Sequence, residues 1–459
     1  MLTYDLNGKN KYYTLYLKIR GDILSGKLKR GERLPSKRSL AQNLSISVIT
    51  VQTAYEQLLA EGYVYSKERS GYYVSDVNLA EGETSAKSKQ RVYISRTQNE
   101  EQAEETFKLD LVKGGTAAGL FPFSVWAKLM RGVISDFGEK LLQRVPCDGD
   151  EDLKRAVSNY LYRARGIEVD PRYIVIGAGA EYLYGIIVQL LGRDKLFAVE
   201  NPCYRAISAC YSLNGAACTP VTVTENGVDC AEVEQSKADV LHLSPSHQFP
   251  TGAVTPSSAR TRLISWARSG GKFVIEDDYD SEFRLIGKPL QSMYSLCPEN
   301  VIYMNTFSKS LAPSMRIGYM ALPPELYKRY RKLFSSSACA VPVFEQKTLA
   351  AMLDGGHFER HINRLKNHYR AVHAAVLEKL QSLGAKCTVR DTGSGLHLLA
   401  HFPEAPSDEF IKNAALKNGI NLKCLSDYLI SPLGGASRFA VINFSGATVS
   451  DIKSLEIKF

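Results

Sequence analysis

The sequence lacks the features of a membrane-spanning or secreted protein. No apolar run among its 459 residues approaches the ~18 residues that a bilayer span requires. Its first residues, MLTYDLNGKNKYY, lack the apolar stretch of a signal peptide. The nine cysteines are scattered and contain no CxxC pair, so they indicate neither a disulfide framework nor a zinc site. We therefore expect a protein of the reducing cytoplasm, with no membrane partner and no bound metal.

Charge is present but unevenly placed. Residues 1–75 hold 12 Lys and Arg against 6 Asp and Glu, a net charge of +6, whereas the whole chain has a net charge of +9. A basic end on a nearly neutral body favours a polyanionic partner for that end. The alternative is a solvated basic face without a partner.

Residues 11–75 combine helical periodicity with turn signals. A first helix buries one side, Ser36 can begin a second helix, and Ser45 or Ser47 can begin a third. The segment VYSKERSGYYVS then predicts two short strands with Gly71 near the turn. The residues expected to face inward are Leu17, Ile19, Ile23, Leu24, Leu28, Leu40, Ala41, Leu44, Val48, Val51, Ala54, Tyr55, Leu58 and Leu59.

Two helices joined by a short turn and followed by a basic hairpin predict a winged helix-turn-helix that binds double-stranded DNA. The start of its second helix can enter a major groove, while basic side chains around it contact phosphates. The alternative is a small helical interaction module. The residues expected to face the groove are Ser45, Ser47, Val48, Thr50 and Gln52, and those expected to meet phosphates are Lys37, Arg38, Lys67 and Arg69.

A polar segment separates this basic end from the rest of the chain. Residues 76–108 read DVNLAEGETSAKSKQRVYISRTQNEEQAEETFK, with mixed charge and little apolar periodicity. Such a segment cannot bury enough apolar surface to order itself. We expect a flexible tether between the basic end, residues 1–75, and a large domain over residues 109–459.

From residue 109 onward, segments typical of strands and helices alternate, which predicts an α/β fold with a mostly parallel sheet. Five strand-like segments end in polar residues or glycine: YIVIGAG, KLFAVENPCY, VLHLSPSHQFPTG, KFVIEDDYD and VIYMNTFSK. Ligands of such sheets bind outside the carboxyl ends of the strands. The functional site is therefore expected where these five segments end.

Two of the strand ends can hold an anion. The turn GAGAEY would direct the backbone N–H groups of Gly179, Ala180 and Glu181 at an anion such as phosphate, helped by the helix dipole. Thr306, Ser308 and Arg316, around the end of another strand, can hold the same group. Glycine-rich turns are common, so this pattern is weak when it stands alone.

Two further residues at strand ends suggest which ligand carries the phosphate. Asp277 ends a strand and suits a protonated ring nitrogen, and Lys309 follows the next strand. The Lys309 amine can condense with an aldehyde if its surroundings lower its pKa. Taken singly, a buried carboxylate is often structural and a lysine is usually a surface charge. Phosphate, aldehyde and pyridinium nitrogen together indicate pyridoxal 5′-phosphate as the cofactor.

Longer segments resemble known families. GERLPSKRSLAQNLSISVITVQTAYEQLLAEGYV, followed by RSGYYV, resembles the DNA-binding domain of GntR-type transcription regulators. NTFSKSLAPSMRIGY resembles the cofactor-lysine segment of fold-type I aminotransferases. SPSHQFPTG, VIEDDYDSEF and GGHFERHINRLKNHYR resemble segments of MocR-type regulators, a GntR subfamily that joins the two domains through a linker. The resemblance implies a PLP-dependent transferase domain with a smaller C-terminal α+β subdomain over about residues 340–459, and a homodimer.

The resemblance also implies roles for individual residues. Lys309 matches the lysine that joins the cofactor aldehyde, Asp277 the carboxylate that pairs with the ring nitrogen, and Tyr279 the tyrosine beside the phenolic oxygen. Arg438 matches the place where these folds bind a substrate carboxylate, a role that suits a bidentate guanidinium. The phosphate site corresponds to Ala180, Glu181, Thr306, Ser308 and Arg316, with Tyr204 expected at the cofactor and Arg205 at the effector.

One position departs from the aminotransferase pattern. Many aminotransferases place an asparagine before the PTG motif, where it contacts the phenolic oxygen of the cofactor. This chain has Phe249 there, with His247 or Gln248 nearby. The change argues against efficient transamination.

The favoured function is a PLP-binding, DNA-binding transcription regulator. Its state would change when PLP itself, an amine or an amino acid reacts at Lys309, provided that the ligand binds two conformations with different affinity. One alternative is a working aminotransferase with an accessory DNA-binding domain. Another is a constitutive DNA-binding protein whose enzyme-like part only dimerises. The sequence leaves the operator, the effector and the sign of regulation open.

Overall fold

The structure is a computed structural model that describes residues 11–67, 70–76, 107–115, 119–285 and 290–455, together with Tyr4 and Leu6. The chain divides into two compact units, Met1–Glu104 and Glu105–Phe459, each with its own hydrophobic core. Residues 77–106, which include most of the predicted tether, lie outside the described residues. No helix in the described part of the chain is long and apolar enough to cross a membrane.

The N-terminal unit consists of three helices and a two-stranded antiparallel hairpin. The Ser36 side chain accepts the backbone N–H of Ser39 at 3.1 Å, and that of Ser47 accepts the N–H of Thr50 at 3.1 Å. These two serines therefore cap the second and third helices, as the sequence predicts. The elements are α1 (Lys11–Leu24), α2 (Lys37–Asn43), α3 (Val48–Ala60), β1 (Val64–Lys67) and β2 (Gly71–Val74).

The core of this unit follows most of the predicted pattern, but three predicted inward-facing residues are exposed. Val48 and Leu59 are 41% and 38% exposed, and Leu17 is also exposed. Successive residues of a helix point about 100° apart, so Leu59 turns away from the core side that Leu58 occupies. Val48 begins its helix, beyond the reach of the core. The buried set includes Leu15, Tyr16, Ile19, Ile23, Leu28, Leu40, Ala41, Val51, Ala54, Tyr55 and Leu58.

The large unit contains strands and helices in alternation. Its strands are β3 (Leu109–Asp110), β4 (Ile174–Gly177), β5 (Leu196–Asn201), β6 (Ala217–Thr224), β7 (Gly227–Val228), β8 (Val240–Leu243), β9 (Phe273–Asp277), β10 (Val301–Thr306), β11 (Gly318–Ala321), β12 (Thr388–Arg390), β13 (His397–His401), β14 (Ile420–Asn421), β15 (Lys423–Cys424) and β16 (Phe439–Asn443). Its helices are α4 (Phe123–Phe137), α5 (Glu151–Arg165), α6 (Ala180–Leu191), α7 (Ala206–Leu213), α8 (Cys230–Gln235), α9 (Ser257–Gly270), α10 (Met293–Leu296), α11 (Pro324–Leu333), α12 (Val343–Asp354), α13 (His357–Gln381), α14 (Asp408–Lys417) and α15 (Val449–Lys453).

Eight of these strands form one sheet, in the order β4–β11–β10–β9–β8–β5–β6–β7. The pairs from β10 through β9, β8 and β5 to β6 are parallel, whereas β11 and β7 run antiparallel to their neighbours. The five strand-like sequence segments form β4, β5, β8, β9 and β10, so the predicted α/β fold is confirmed. Strands buried on both faces lack alternation: Val175 enters one core, and Ile174 and Ile176 enter the other.

A smaller sheet lies in the C-terminal part of the chain. Its four strands are antiparallel, in the order β12–β13–β16–β15, and α13 packs against β12 and α15. The short strand β3, which follows the predicted tether in sequence, pairs in parallel with β14. The start of the large unit is therefore joined to its C-terminal part.

Candidate functional site

The register of the large sheet brings together residues that are far apart in sequence. Asp277, the last residue of β9, pairs with Met304 of β10. Two residues later, Thr306 pairs with Gly318, which in turn pairs with Gly177 at the end of β4. The loops that leave β4, β9 and β10 therefore start from the same edge of the sheet, where ligands of such folds bind.

Lys309 lies in the loop after β10, and its amine points into the protein. A Cβ atom added at Gly114 would lie 2.5 Å from the Lys309 Nζ atom, so the amine contacts the backbone that follows β3. Burial lowers the pKa of Lys309, and the nearby Asp280 carboxylate offsets part of this effect. A larger fraction of the amine is consequently neutral, which is the form that attacks carbonyl groups.

Asp277 is buried and keeps one oxygen open. Its Oδ2 atom accepts a 2.6 Å hydrogen bond from the Tyr184 hydroxyl and lies 3.5 Å from Nε2 of His242. Its Oδ1 atom is buried and has no hydrogen-bond partner among the described residues. Burial and the Asp277 charge hold the pKa of Tyr184 well above its usual range, so Tyr184 remains a donor. An open buried carboxylate oxygen favours a cationic N–H partner.

The predicted phosphate site is the start of α6. Gly179 has a φ of 90° and a Cβ there would meet the Arg316 guanidinium carbon at 3.0 Å, so only glycine lets this side chain approach the helix start. Arg316 donates to Glu181 at 3.3 Å, and both side chains are half exposed. Such an exposed pair contributes ~1 kcal/mol or less, so an incoming phosphate can replace it.

The other predicted phosphate ligands lie at the start of α6 or at and after the end of β10. Thr306 is buried at the end of β10, where its N–H donates to the Asn305 side chain at 2.6 Å. Ser308 is partly buried in the following loop, and Ala180 is the first residue of α6. The sheet register brings all of them to the edge that carries Lys309.

Two tyrosines were predicted near the cofactor ring. Tyr204 follows β5 and is half exposed, with its ring centroid 6.3 Å from that of Phe249. The charges of Glu181 and Arg316 both act on the Tyr204 hydroxyl, so this ring lies near the predicted phosphate site. The Tyr279 hydroxyl lies 3.4 Å from Nδ1 of His247. Both rings are thus near the residues that would hold the cofactor.

The loop around Phe249 shows which neighbour is available in place of the usual asparagine. The Gln248 amide is committed to the loop itself, because its Nε2 donates to the carbonyl of Pro202 at 2.8 Å and its Oε1 accepts from Thr251. His247 instead faces the interior and bonds to Asp280 through Nδ1 at 2.8 Å. His247 is therefore the group near the Tyr279 hydroxyl.

Of the two predicted effector-binding residues, Arg438 is not brought to this site, and the role of Arg205 stays a prediction. The exposed Arg438 guanidinium donates to the carbonyl of Pro403 at 2.8 Å. Arg438 precedes β16, whereas Asn443 at the other end of that strand lies beside the Lys309 amine. A strand rises ~3.3 Å per residue, so about 16 Å of chain separates the two positions. Arg205 is exposed at the start of α7. The carboxylate role expected for Arg438 is not supported by this geometry.

The residues present fit pyridoxal phosphate. The lysine amine is shifted toward its neutral form, a buried carboxylate oxygen is open, and a helix start with an arginine is shaped by glycine. Sequence reasoning missed Tyr184, His242, Gly114 and Asn443, because no local motif marks them. It also missed the burial of His247 together with Asp280 and His397, which come from three different loops and strands.

Helix α3, the second helix of the predicted helix-turn-helix, begins with both polar and apolar side chains. Ser47 and Thr50 bond to each other at 2.8 Å between their hydroxyls, and Gln52 is engaged by Lys37 at 3.4 Å. Ser45 is exposed in the turn with a φ of 52°, and Val48 is exposed beside it. The predicted set therefore lies on one accessible end of the helix, with several members already used in capping.

Ile49, which was not predicted, is 75% exposed at the second position of α3. In the hairpin, the Lys67 amine lies 4.9 Å from the ring centroid of Tyr73, and Tyr73 stacks on Tyr65. Arg38 is exposed at the start of α2, whereas the predicted phosphate contact Arg69 lies outside the described residues.

Comparison with known proteins gives the same division of the chain. The family model described as aminotransferase class I and II matches residues 116–441. The family model of bacterial regulatory proteins of the gntR family matches residues 11–74. Each of the two units described above therefore contains one family match.

Relatives and solved structures are similar over most of the chain. An uncharacterised HTH-type transcriptional regulator of Bacillus subtilis, YdeL, is 34% identical over 96% of this chain and 94% of its own length. The probable rhizopine catabolism regulatory protein MocR of Rhizobium meliloti is 29% identical over 94% of this chain and 89% of its own. An archaeal alanine:glyoxylate aminotransferase superposes with a TM-score of 0.68 at 20% identity, covering 75% of this chain and 87% of that structure, and shows the fold.

Proposed function

Because this chain belongs to the aminotransferase class I and II family and, through its gntR-type domain, to the MocR-type transcription regulators, we propose that it binds pyridoxal 5′-phosphate at Lys309 and that events at this site control its binding to DNA. The observation that carries the proposal is the inward Lys309 amine on the same sheet edge as the open oxygen of Asp277. A desolvated lysine amine and an unpaired buried carboxylate oxygen both destabilise a protein that has no use for them.

Each part of the site has a separate task. Lys309 provides a neutral amine, since burial favours loss of its proton. Asp277 provides the negative charge for a ring nitrogen, and Tyr184 fixes its orientation. Arg316 and the N–H groups at the start of α6 provide donors for a phosphate. When bound, pyridoxal phosphate supplies an aldehyde that condenses with primary amines.

A sensing role fits this chain better than turnover. An aminotransferase must hold the carboxylate of each substrate, and Arg438, the residue expected to do so, instead caps the carbonyl of Pro403. Gln248 is used within its loop, so no amide replaces the missing asparagine at Phe249. We therefore assign pyridoxal phosphate itself, or an amine or amino acid that reacts with it, as the effector, and a homodimer of the cytoplasm as the acting form.

Control of DNA binding requires that the effector bind two conformations unequally. The ratio of its affinities for the two conformations sets the largest possible shift in their equilibrium. A tenfold ratio corresponds to about 1.4 kcal/mol. The basic charge of residues 1–75 supplies the attraction to phosphates, so the affinity for DNA should fall steeply with added salt.

The cofactor step is tested by covalent trapping. Full-length protein is saturated with pyridoxal phosphate and reduced with sodium borohydride, and the modified residue is located by peptide mass spectrometry. We expect modification of Lys309 in the wild type and none at this segment in Lys309→Ala. Lys366→Ala is the matched control, because burial also lowers the pKa of Lys366, whose charge neighbours are Glu282 and Arg370. Modification of surface lysines alone would refute the proposal.

The regulatory step is tested separately. Operator fragments are selected from genomic DNA with the full-length protein, and their dissociation constants are measured with and without pyridoxal phosphate and candidate amines. We expect a change of at least threefold in the wild type and none in Lys309→Ala. Sustained product formation from an amino acid and a 2-oxo acid, with unchanged DNA affinity, would instead support the aminotransferase.

A further inference from the structure

Three buried side chains meet next to Lys309. His247 and His397 have ring centroids 4.2 Å apart, and Nδ1 of His247 lies 2.8 Å from Oδ2 of Asp280. All three are at least nine-tenths buried. One possible ligand atom from each residue lies within 4.8 Å of those of the other two. Among the residues that the structure describes, this is the one such cluster of His, Cys, Asp and Glu side chains.

The cluster adjoins the lysine through the small sheet. His397 on β13 pairs directly with Asn443 on β16, so their side chains share one face. The Asn443 amide and the Lys309 amine both lie against Gly114. The charge of Lys309 acts on His397, and that of Asp280 acts on Lys309. The cluster is thus a separate group of ligand atoms that borders the cofactor site.

Both imidazole rings keep a buried nitrogen open. Nε2 of His247 and Nε2 of His397 have no hydrogen-bond partner within the described part of the chain. The other nitrogen of His247 bonds to Asp280, and His397 is hydrogen-bonded to the backbone of Gln248. These outer bonds place the ring protons on the Nδ1 side and leave a lone pair on each Nε2. A buried acceptor without a donor is unfavourable unless something binds it.

This pattern is the one that metal-binding histidines show. Such a histidine donates its second ring N–H to a carboxylate or a backbone carbonyl, which fixes its tautomer and orientation. Metals bind an imidazole nitrogen that carries no proton, and Nε2 of both rings is buried without a partner in the described residues. Imidazole ligands suit zinc, copper, nickel and iron.

We propose that His247 and His397 bind one divalent transition-metal ion, such as Zn²⁺, through their Nε2 atoms, with Asp280 holding His247 in position. Two nitrogens at bonds of 2.0–2.1 Å to one metal stand about 3.3 Å apart, a spacing that rings with centroids 4.2 Å apart can reach. The remaining coordination positions are filled by water. The cysteine pattern gave no sign of this site, because its ligands are histidines from the loop after β8 and from β13.

A cation at this place acts on Lys309. A positive charge close to an amine disfavours its protonated form, so metal binding would raise the neutral fraction of Lys309. Metal availability would in this way be linked to the reactivity of the residue on which the proposed function depends.

The test uses the untagged, full-length protein without pyridoxal phosphate, so its result does not depend on the cofactor proposal. Equilibrium dialysis against Zn²⁺ is expected to give about one bound ion per chain, and Co²⁺ is expected to give visible absorption bands from a site with nitrogen ligands. His397→Gln and His247→Gln should each weaken Zn²⁺ binding at least tenfold, and Asp280→Asn tenfold to a hundredfold.

The control variant is His373→Gln. His373 forms a second His–Asp pair, with Nε2 2.9 Å from Oδ2 of Asp391, but belongs to no cluster of three ligands in the described residues. It should bind Zn²⁺ like the wild type, and circular dichroism should report folded protein for every variant. A wild type that binds no Zn²⁺, or equal losses in His373→Gln and His397→Gln, would overturn the proposal.

Discussion

The hydroxyl of Tyr184 donates a 2.6 Å hydrogen bond to one oxygen of Asp277 and leaves the other oxygen buried and open. Tyr184 lies in α6, the helix whose start is the predicted phosphate site, and Asp277 ends β9. One helix therefore contributes both to the expected phosphate site and to the orientation of the expected ring partner.

Because one oxygen of Asp277 is open and buried, we expect Asp277→Asn to weaken cofactor binding and to stabilise the cofactor-free protein. The dissociation constant for pyridoxal phosphate should rise at least tenfold, about 1.4 kcal/mol, because an amide cannot neutralise a protonated ring nitrogen. The melting temperature of the cofactor-free protein should rise, because a buried charge has been removed. Equilibrium dialysis and calorimetry measure the two effects. A fall in melting temperature together with unchanged cofactor binding would show that Asp277 serves only the fold.

Gly114 and Gly115 form a matched pair of positions. A Cβ at Gly114 would lie 2.5 Å from Nζ of Lys309, whereas a Cβ at Gly115 would have no described atom within 4 Å. Gly114→Ala should therefore displace the lysine amine and slow its trapping by pyridoxal phosphate and borohydride at least tenfold, and Gly115→Ala should leave the rate unchanged. Trapping rates from intact-protein mass spectrometry give the comparison. Equal rates in the two variants would mean that the amine does not depend on this contact.

We expect Ile49 to contact the methyl group of a thymine in the operator. It is 75% exposed near the start of α3, and apolar side chains at such positions contact the thymine 5-methyl group in the major groove. Replacing the contacted thymine by deoxyuridine should weaken binding of the wild type about fourfold, because one methyl is worth about 0.8 kcal/mol. Ile49→Ala should show no such difference between the two operators. Leu59→Ala, at the other end of α3, is the control and should keep the methyl dependence.

The buried carboxyl group of Glu200 should make the stability of the protein depend on pH. It is buried, its Oε2 accepts from the Ser244 N–H and the Gln248 amide, and burial raises its pKa from 4.5 to about 8. The folded protein therefore holds a proton that the unfolded chain has lost between pH 4.5 and 8, so this group lowers stability progressively as pH rises through that window.

The measurement compares Glu200→Gln with the wild type. The variant should be the more stable of the two at pH 8.5, and the difference should shrink toward pH 5; its upper limit is a few kcal/mol, since one pKa unit is worth about 1.4 kcal/mol. Urea unfolding midpoints at several pH values report the difference. A constant difference between the two proteins across this range would contradict the raised pKa.

The central strands and the residues at their ends could be predicted because their signals are local. Strands buried on both faces are continuous runs of apolar residues, and the residues that follow them meet at one edge of a parallel sheet. Lys309 and Asp277 were placed at this edge in this way, and the capping serines Ser36 and Ser47 likewise mark helix starts by themselves.

The remaining features depend on long-range pairing. Which end of β16 faces Lys309 follows from its antiparallel pairing with β13, and that pairing places Asn443, not Arg438, beside the amine. The cluster of His247, Asp280 and His397 forms only when the small sheet packs against two loops of the large one. No short sequence window contains this information.

The segment 107–115 runs from the end of the predicted tether to the Lys309 amine. Its first residues pair with β14, Gly114 touches the Lys309 amine, and the N–H of Gly115 donates to Ser445 at 3.3 Å. Only a few residues thus separate β3 from the Lys309 amine. A ligand that displaces the Lys309 amine would therefore act first on Gly114, four residues after the end of β3.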